Sequence, residues 1–414
     1  MTAKARILSL FLCIVMLISV FPAQAFAQES DSISRSAAAS FSGSGTPEEP
    51  YLISSAAELT FLADCVNRGA SYSGSYFQQA SDILLEGSWT PIGTQEHPFS
   101  GTYLGQNYKI SNLKIESSES YAGLFGVVTG NIDGVVIDHA VIKGASFLGA
   151  IAGLNRNENA DGLGGRITNC QVLDSEITGS NMTGGISGQA RGDISGCKII
   201  RTAISGKDDV GGIAGTIAPK NYPELNWGNR ITQIEACVVK NSTISGNESV
   251  GGICGFKPDG ETSTGYYRPR IAACFNDNTE VRGASSVGGI LGRIYHFYTG
   301  DYIMVSRCAN TGAVTASSEY AGGIVGSADQ CFFGNGDTYI EDCFNTGDIT
   351  SLGSNAGGIC GGTYKTIKNC HNIGQVRGKS YCASICGSTA YSRGNATITN
   401  CYYLNSCKSD YRAT

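Results

Sequence analysis

The feature that most constrains this chain is a distance. A short aliphatic and glycine motif ends on a glycine nine times, at Gly126, Gly153, Gly188, Gly215, Gly255, Gly292, Gly326, Gly361 and Gly387. A second motif runs alongside: an aliphatic residue, two variable residues and a cysteine. It ends at Cys170, Cys197, Cys237, Cys274, Cys308, Cys343, Cys370 and Cys401, and Val135 holds the cysteine place of the first copy. From the cysteine position to the next glycine the separation is 18 residues in seven cases (for example 135 to 153, 237 to 255 and 343 to 361) and 17 from 370 to 387. The return distance varies from 9 to 22 residues. Each unit has one rigid arc and one variable arc, which is how a stacked repeat looks in sequence.

Six or seven residues after each cysteine position stands another aliphatic residue, at Ile142, Ile177, Ile204, Ile244, Val281, Val314, Ile349 and Val376. Segments of four to six residues rich in Ile, Val and Thr, broken by Gly, Asn and Asp, read as strands, and helical periodicity is absent from the repeats. The expected fold is all-β: a right-handed parallel β-solenoid of about nine three-stranded coils, each burying its inner face on its neighbours. At roughly 4.8 Å per coil this is a rod of about 40 Å. "VGGICG" at 250–255 looks like a phosphate loop, but such a loop opens a helix and occurs once. A motif repeated nine times between strands is a corner, where glycine lets the backbone pass a place a side chain would block.

The eight cysteines fall at one place in successive coils, so they should form a ladder of small apolar side chains facing the core. Parallel Cβ vectors make poor disulfide geometry. The reading is mostly free, buried thiols, with stray bridges open among Cys65, Cys331, Cys382, Cys386 and Cys407. Zinc is not expected, since the cysteines come one per coil and not as paired C-x₂-C.

The two ends differ from the repeats. Residues 1–27 read as a secretory signal peptide: Lys4 and Arg6, an apolar run over 7–21, and Ala25-Phe26-Ala27 as a cleavage site. Residues 28–42 read as a flexible lead, 43–115 as an N-terminal cap and 116–414 as the solenoid. In the cap, Ser55 and Glu58 stand at capping-box spacing, and Leu59, Leu62 and Val66 make one apolar face before Gly69. That predicts a single helix of about three turns, covering an otherwise open solenoid end. After Cys401 only 13 residues remain, too few for a further unit, so the expectation is a truncated longer chain or, second to that, a last coil closed by residues 401–414 or by a partner. No later stretch is apolar for long enough to span a membrane. The formal net charge of −6 becomes −8 without the leader, which argues against nucleic acid and anionic membranes as partners.

"GLFG" at 123–126, the "GGIxG" copies, the "NC" of Asn169-Cys170 and Asn400-Cys401, and "FNTGDIT" at 344–350 resemble GLUG-repeat bacterial cell-surface proteins. "GSGTPEEPYLISSAAEL", "WTPIG" and "FSGTYLGQNYKISNLKI" are similar to the lead-in such proteins carry. The resemblance covers about 43–407. It implies a β-solenoid of adhesin-like, cell-surface proteins, with similar repeats preceding the catalytic domain of some immunoglobulin-A metalloproteases. No such catalytic domain is legible: His97, His139, His296 and His371 are each followed by something other than Glu, so there is no H-E-x-x-H.

The insertions all enter the variable arc, so they should emerge along one edge, where repeat proteins commonly bind. They carry Tyr222, Trp227, Tyr266, Tyr267, Tyr295, Phe297, Tyr298, Phe332 and Phe333. Such rings suit glycan or protein ligands, or they fold down and cover the flank. Asn157, Asn159 and Asp161 partly imitate a calcium loop but lack its final Glu, and "RGD" at 191–193 fits a plain turn. No cofactor, metal site or catalytic constellation is expected. The function read from the sequence is a non-catalytic, secreted or surface-associated scaffold binding glycan or a host or cell-surface protein. A polysaccharide-active lyase or hydrolase and a structural stalk of a longer surface protein are the alternatives.

Overall fold

The computed structural model describes residues 41–156, 165–218, 232–257, 269–296, 302–330, 337–363, 365–391 and 394–404. The chain from Ser42 onward forms one unit. It builds four parallel sheets of 12, 11, 13 and 9 strands, here A, B, C and D. Each repeat visits them in that order. A typical coil runs through Gln233–Glu235 in A, Val238–Lys240 in B, Thr243–Ser245 and Glu248–Gly251 in C, and Cys254–Lys257 in D. The parallel β-solenoid is as expected. The coil has four sides and not three, because the chain also turns between sheets A and B, at the residue before each cysteine.

Successive coils pair without slippage along most of their length, so like residues stack on like. In sheet A, Ile132, Ile167, Ile194, Ile234, Ile271, Val305, Ile340 and Ile367 form one rung after another, each 0% exposed. Burying each such side chain stabilises by roughly 1.5–3 kcal/mol. A one-residue slip would turn the whole row outward, so the pattern also fixes the register.

The corners follow a strict rule. The residue before each ladder cysteine is left-handed: Asn169, Ala236, Ala273, Arg307, Asp342, Asn369 and Asn400 have φ between 51° and 55°, and Gly196 has 66°. A second left-handed row precedes the glycine motif, including Met182, Asp209, Ser249, Ser286, Tyr320 and Asn355. No β-branched residue has positive φ among the described residues, which is the steric expectation.

The glycines of the motif serve a different need, for they do not adopt positive φ. A Cβ on Gly252 would land on the carbonyl of Gly289 in the next coil and 2.9 Å from the Asn276 amide. In earlier coils the equivalent Gly212 faces Val239, 2.7 Å from where its Cβ would lie. The motif passes so close to the core row of sheet B that only hydrogen fits.

The lead-in joins the same sheets. Tyr51–Ile53, Tyr76–Gln79 and Thr102–Leu104 pair in parallel and continue into sheet A at Asn131–Asp133. Its helix, α1, spans Ala56–Asn67. Ser55 caps it as expected: its side chain accepts from the Glu58 amide, and Glu58 Oε2 accepts from Ser54 N at 2.7 Å. Leu59, Leu62 and Val66 are fully buried. Here the core is aromatic, with Phe77, Phe99 and Phe125 at ring separations of 5.9 and 5.1 Å.

Candidate functional site

All the long connections leave the solenoid at one place, between the end of a sheet D strand and the start of the next sheet A strand. The flanks are Ala152–Arg156 and Ile167–Thr168, Ala214–Ile217 and Gln233–Glu235, and Cys254–Lys257 and Arg270–Ala272. They continue with Leu291–His296 and Tyr302–Ser306, then Val325–Gln330 and Asp337–Glu341. Parallel stacking therefore sets the roots of the insertions in one row. At the last two of these junctions the strands run further out at this edge: Tyr295 pairs Asp329, and Tyr302 pairs Asp337.

Of the nine candidate aromatics, the structure describes Tyr295. It is half-buried, and the Arg293 guanidinium lies 5.7 Å from its ring centroid, a cation–π contact that holds the ring at the root of its insertion. Tyr222, Trp227, Tyr266, Tyr267, Phe297, Tyr298, Phe332 and Phe333 lie outside the described residues, as do Asn157, Asn159 and Asp161. The "RGD" segment is engaged structurally: Arg191 donates to Gln189 Oε1 at 2.8 Å, and Asp193 accepts from the Gln233 amide at 3.1 Å.

The cysteines Cys170, Cys197, Cys237, Cys274, Cys308, Cys343 and Cys370 are 0–2% exposed, and Cys401 is half-buried. From Cys197 onward each thiol lies within donating distance of a carbonyl in the coil before, from Ile167 O at 3.7 Å to Ile367 O at 3.8 Å. Burial pushes the Cys197, Cys274 and Cys343 thiols well above their ordinary value, which removes the reactive thiolate at these three rungs, while Cys237, Cys308 and Cys370 are shielded by burial alone. All thirteen described cysteines are free.

A second ladder is one that sequence reasoning missed. Two residues after the cysteine, sheet B carries Ile137, Val172, Ile199 and Val239, then switches to Asn276, Asn310, Asn345 and Asn372. These amides are 0% exposed. Each Nδ2 donates to the next Oδ1, at 2.7, 2.7 and 2.8 Å, and all but the first also donate to a carbonyl two residues on. Asn276 Oδ1, where the row meets Val239, has no partner. The signal was present as Cys-x-Asn at 274–276, 308–310, 343–345 and 370–372.

Two groups of acids stand out. Asp138, His139 and Asp174 offer ligand atoms within 4.8 Å of one another. Their carboxylates are already committed, Asp138 to Lys109 at 2.9 Å and Asp174 to Arg201 at 2.6 and 2.7 Å, and the Arg201 hydrogen bond pulls Asp174 below its ordinary range. Asp209, on the corner before the glycine motif, is pushed up to about 7 by burial and then by neighbouring Asp208. Among the described residues no helix is long and apolar enough to cross a membrane.

No protein-family model matches the chain. Over 124 residues it is 34% identical to halomucin of Haloquadratum walsbyi, covering 28% of this chain and 1% of that protein. Over 128 residues it is also 34% identical to a protein of Evansella cellulosilytica provisionally named a Gly-rich membrane protein, covering 27% of this chain and 14% of that one. The chain thus spans a small part of these relatives. A solved Bacteroides ovatus structure, provisionally titled an immunoglobulin A1 protease, shares 18% identity at a TM-score of 0.45, over 87% of this chain and 86% of that one.

Proposed function

We propose that this protein is a surface-associated β-solenoid of the GLUG-repeat kind that binds glycan or protein through its insertion-bearing edge, without turnover. One observation carries the reading: the long connections are rooted in a single row between sheets D and A, and the strands extend outward there, with Arg293 and Tyr295 on one of them. A row of insertions rooted on a regular scaffold is a binding arrangement, because loops gathered along one face of a repeat protein are where ligands are commonly engaged. The names of the two sequence relatives, a mucin and a membrane protein, fit a place at the cell surface. The ladders of the solenoid interior are aliphatic, thiol or amide, which suits a core rather than a reaction.

The test separates binding from catalysis. The chain from residue 28 onward is incubated with pectin, mucin and other polysaccharides, and with glycan and host-protein arrays. Retention of the chain on one class of array spot, with no new reducing ends or released products, is the expected result. Product release from any polysaccharide would instead favour the lyase or hydrolase reading.

A further inference from the structure

A cleft of about 430 Å³ opens where α1 and the lead-in meet the first coils, within the range of small-molecule sites. Its walls are fixed in advance. Asn67, at the end of α1, donates to Pro91 O at 3.0 Å and accepts from Gly93 N at 2.8 Å. Trp89 is 8% exposed, and its Nε1 donates to Leu124 O at 3.0 Å. Tyr121 stacks on Phe147, at 4.6 Å and 13°, and its hydroxyl accepts from Gln95 Nε2 at 2.5 Å.

The lining chemistry selects the ligand. Among the described residues no Lys, Arg or His lines the cleft, whereas Glu116 and Glu119 do; Glu116 is paired with Lys114 at 3.8 Å, which leaves Glu119 as the carboxylate that disfavours phosphate, sulfate and uronate. The serine and threonine hydroxyls of the lining offer both donors and acceptors. A quaternary ammonium ion would leave these unpaired, at a cost for every group that loses water. A neutral ring with hydroxyls around its rim and C–H groups on its face satisfies the hydroxyls and Glu119 while covering the exposed part of Tyr121.

We propose that this cleft binds a neutral pyranose ring, either free or at the end of a glycan. The site is built from residues 67–122, outside the insertions, so it can fail while the edge reading stands. The chain has two tryptophans, so Trp227→Phe leaves Trp89 as the single indole reporter. That variant is titrated with methyl glycosides of glucose, galactose, mannose, N-acetylglucosamine and N-acetylgalactosamine, and with trisaccharides ending in each. Saturation-transfer NMR on the unaltered chain runs in parallel. The expected result is a saturable emission change with at least one glycoside, unaffected by salt, and weakened at least tenfold by Ser120→Arg or by the shape-conserving Glu119→Gln. Response to the glycosides assigns a free sugar, and response to the trisaccharides alone assigns a glycan end. Three outcomes would overturn the proposal: no saturable response to any saccharide, a response that both variants leave within twofold, or saturation by tetramethylammonium that salt abolishes.

Discussion

Replacing Asn345 probes the amide ladder at its centre. Its Nδ2 donates to Asn372 Oδ1 at 2.8 Å and to Gly347 O at 2.9 Å, and its Oδ1 accepts from Asn310 at 2.7 Å. Alanine removes all three bonds. Asn310 keeps Gly312 O as a partner and Asn372 keeps the Gly374 amide, so the damage is bounded. At about 0.5–1.5 kcal/mol per bond, plus a small cavity, Asn345→Ala should cost about 3–5 kcal/mol. Asn345→Val loses the same bonds but fills the space, as Val172 and Val239 do at the same rung, and should cost about 1–2 kcal/mol less than alanine. Asn345→Asp still accepts from Asn310 but sets an oxygen against Asn372 Oδ1 and buries a charge. It should be the worst of the three at pH 8 and recover as acid protonates it. Urea denaturation followed by circular dichroism reads all three. An alanine variant within about 0.5 kcal/mol of the parent, or an aspartate no worse than alanine at pH 8, would show that the ladder does not hold the coils.

Three further outcomes follow from the same geometry. Asp209 keeps its proton up to about 7 in the folded chain but only to about 4 when unfolded. The folded state therefore binds more protons between these values, and its stability falls as pH rises through that window. Asp209→Asn, which tolerates the corner φ of 58°, should raise stability at pH 8 by up to about 4 kcal/mol and change little at pH 4; equal melting-temperature shifts at both would contradict the assignment. Gly252→Ala forces a Cβ onto Gly289 O and the Asn276 amide and should destabilise by about 1–3 kcal/mol or more, with unchanged melting as the refuting result. The ladder cysteines should resist alkylation at pH 8 and react on denaturation; mass spectrometry showing Cys237 or Cys274 labelled in the folded chain would exclude the sealed ladder.

The solenoid was legible because stacking forces every coil to repeat its core, so the 18-residue spacing and the recurring Ile and Cys positions survive in sequence. The helix was legible from Ser55 and Glu58 because a cap is a local interaction. The fourth side of the coil was not. It depends on left-handed corners between sheets A and B at residues such as Ala236 and Arg307, which residue type specifies weakly. The amide ladder was hidden because Asn in a strand-rich segment reads as a turn residue; its partners lie 27 to 35 positions away. The cleft draws on α1, the loop after it and the first coil, and only the fold brings Asn67, Trp89 and Tyr121 together. For the edge proposed to bind, the sequence located the insertions, and stacking explains why their roots align.

The most direct test of the account compares residues 28–414 with a variant of them lacking residues 219–231 and 258–268, replaced by short Gly-Ser links, on the same glycan and host-protein arrays. The deletions spare the strands Ala214–Ile217 and Cys254–Lys257, so circular dichroism should match the parent. The account predicts that array binding is lost while the solenoid remains folded. Binding retained in full by the folded double deletion would contradict it.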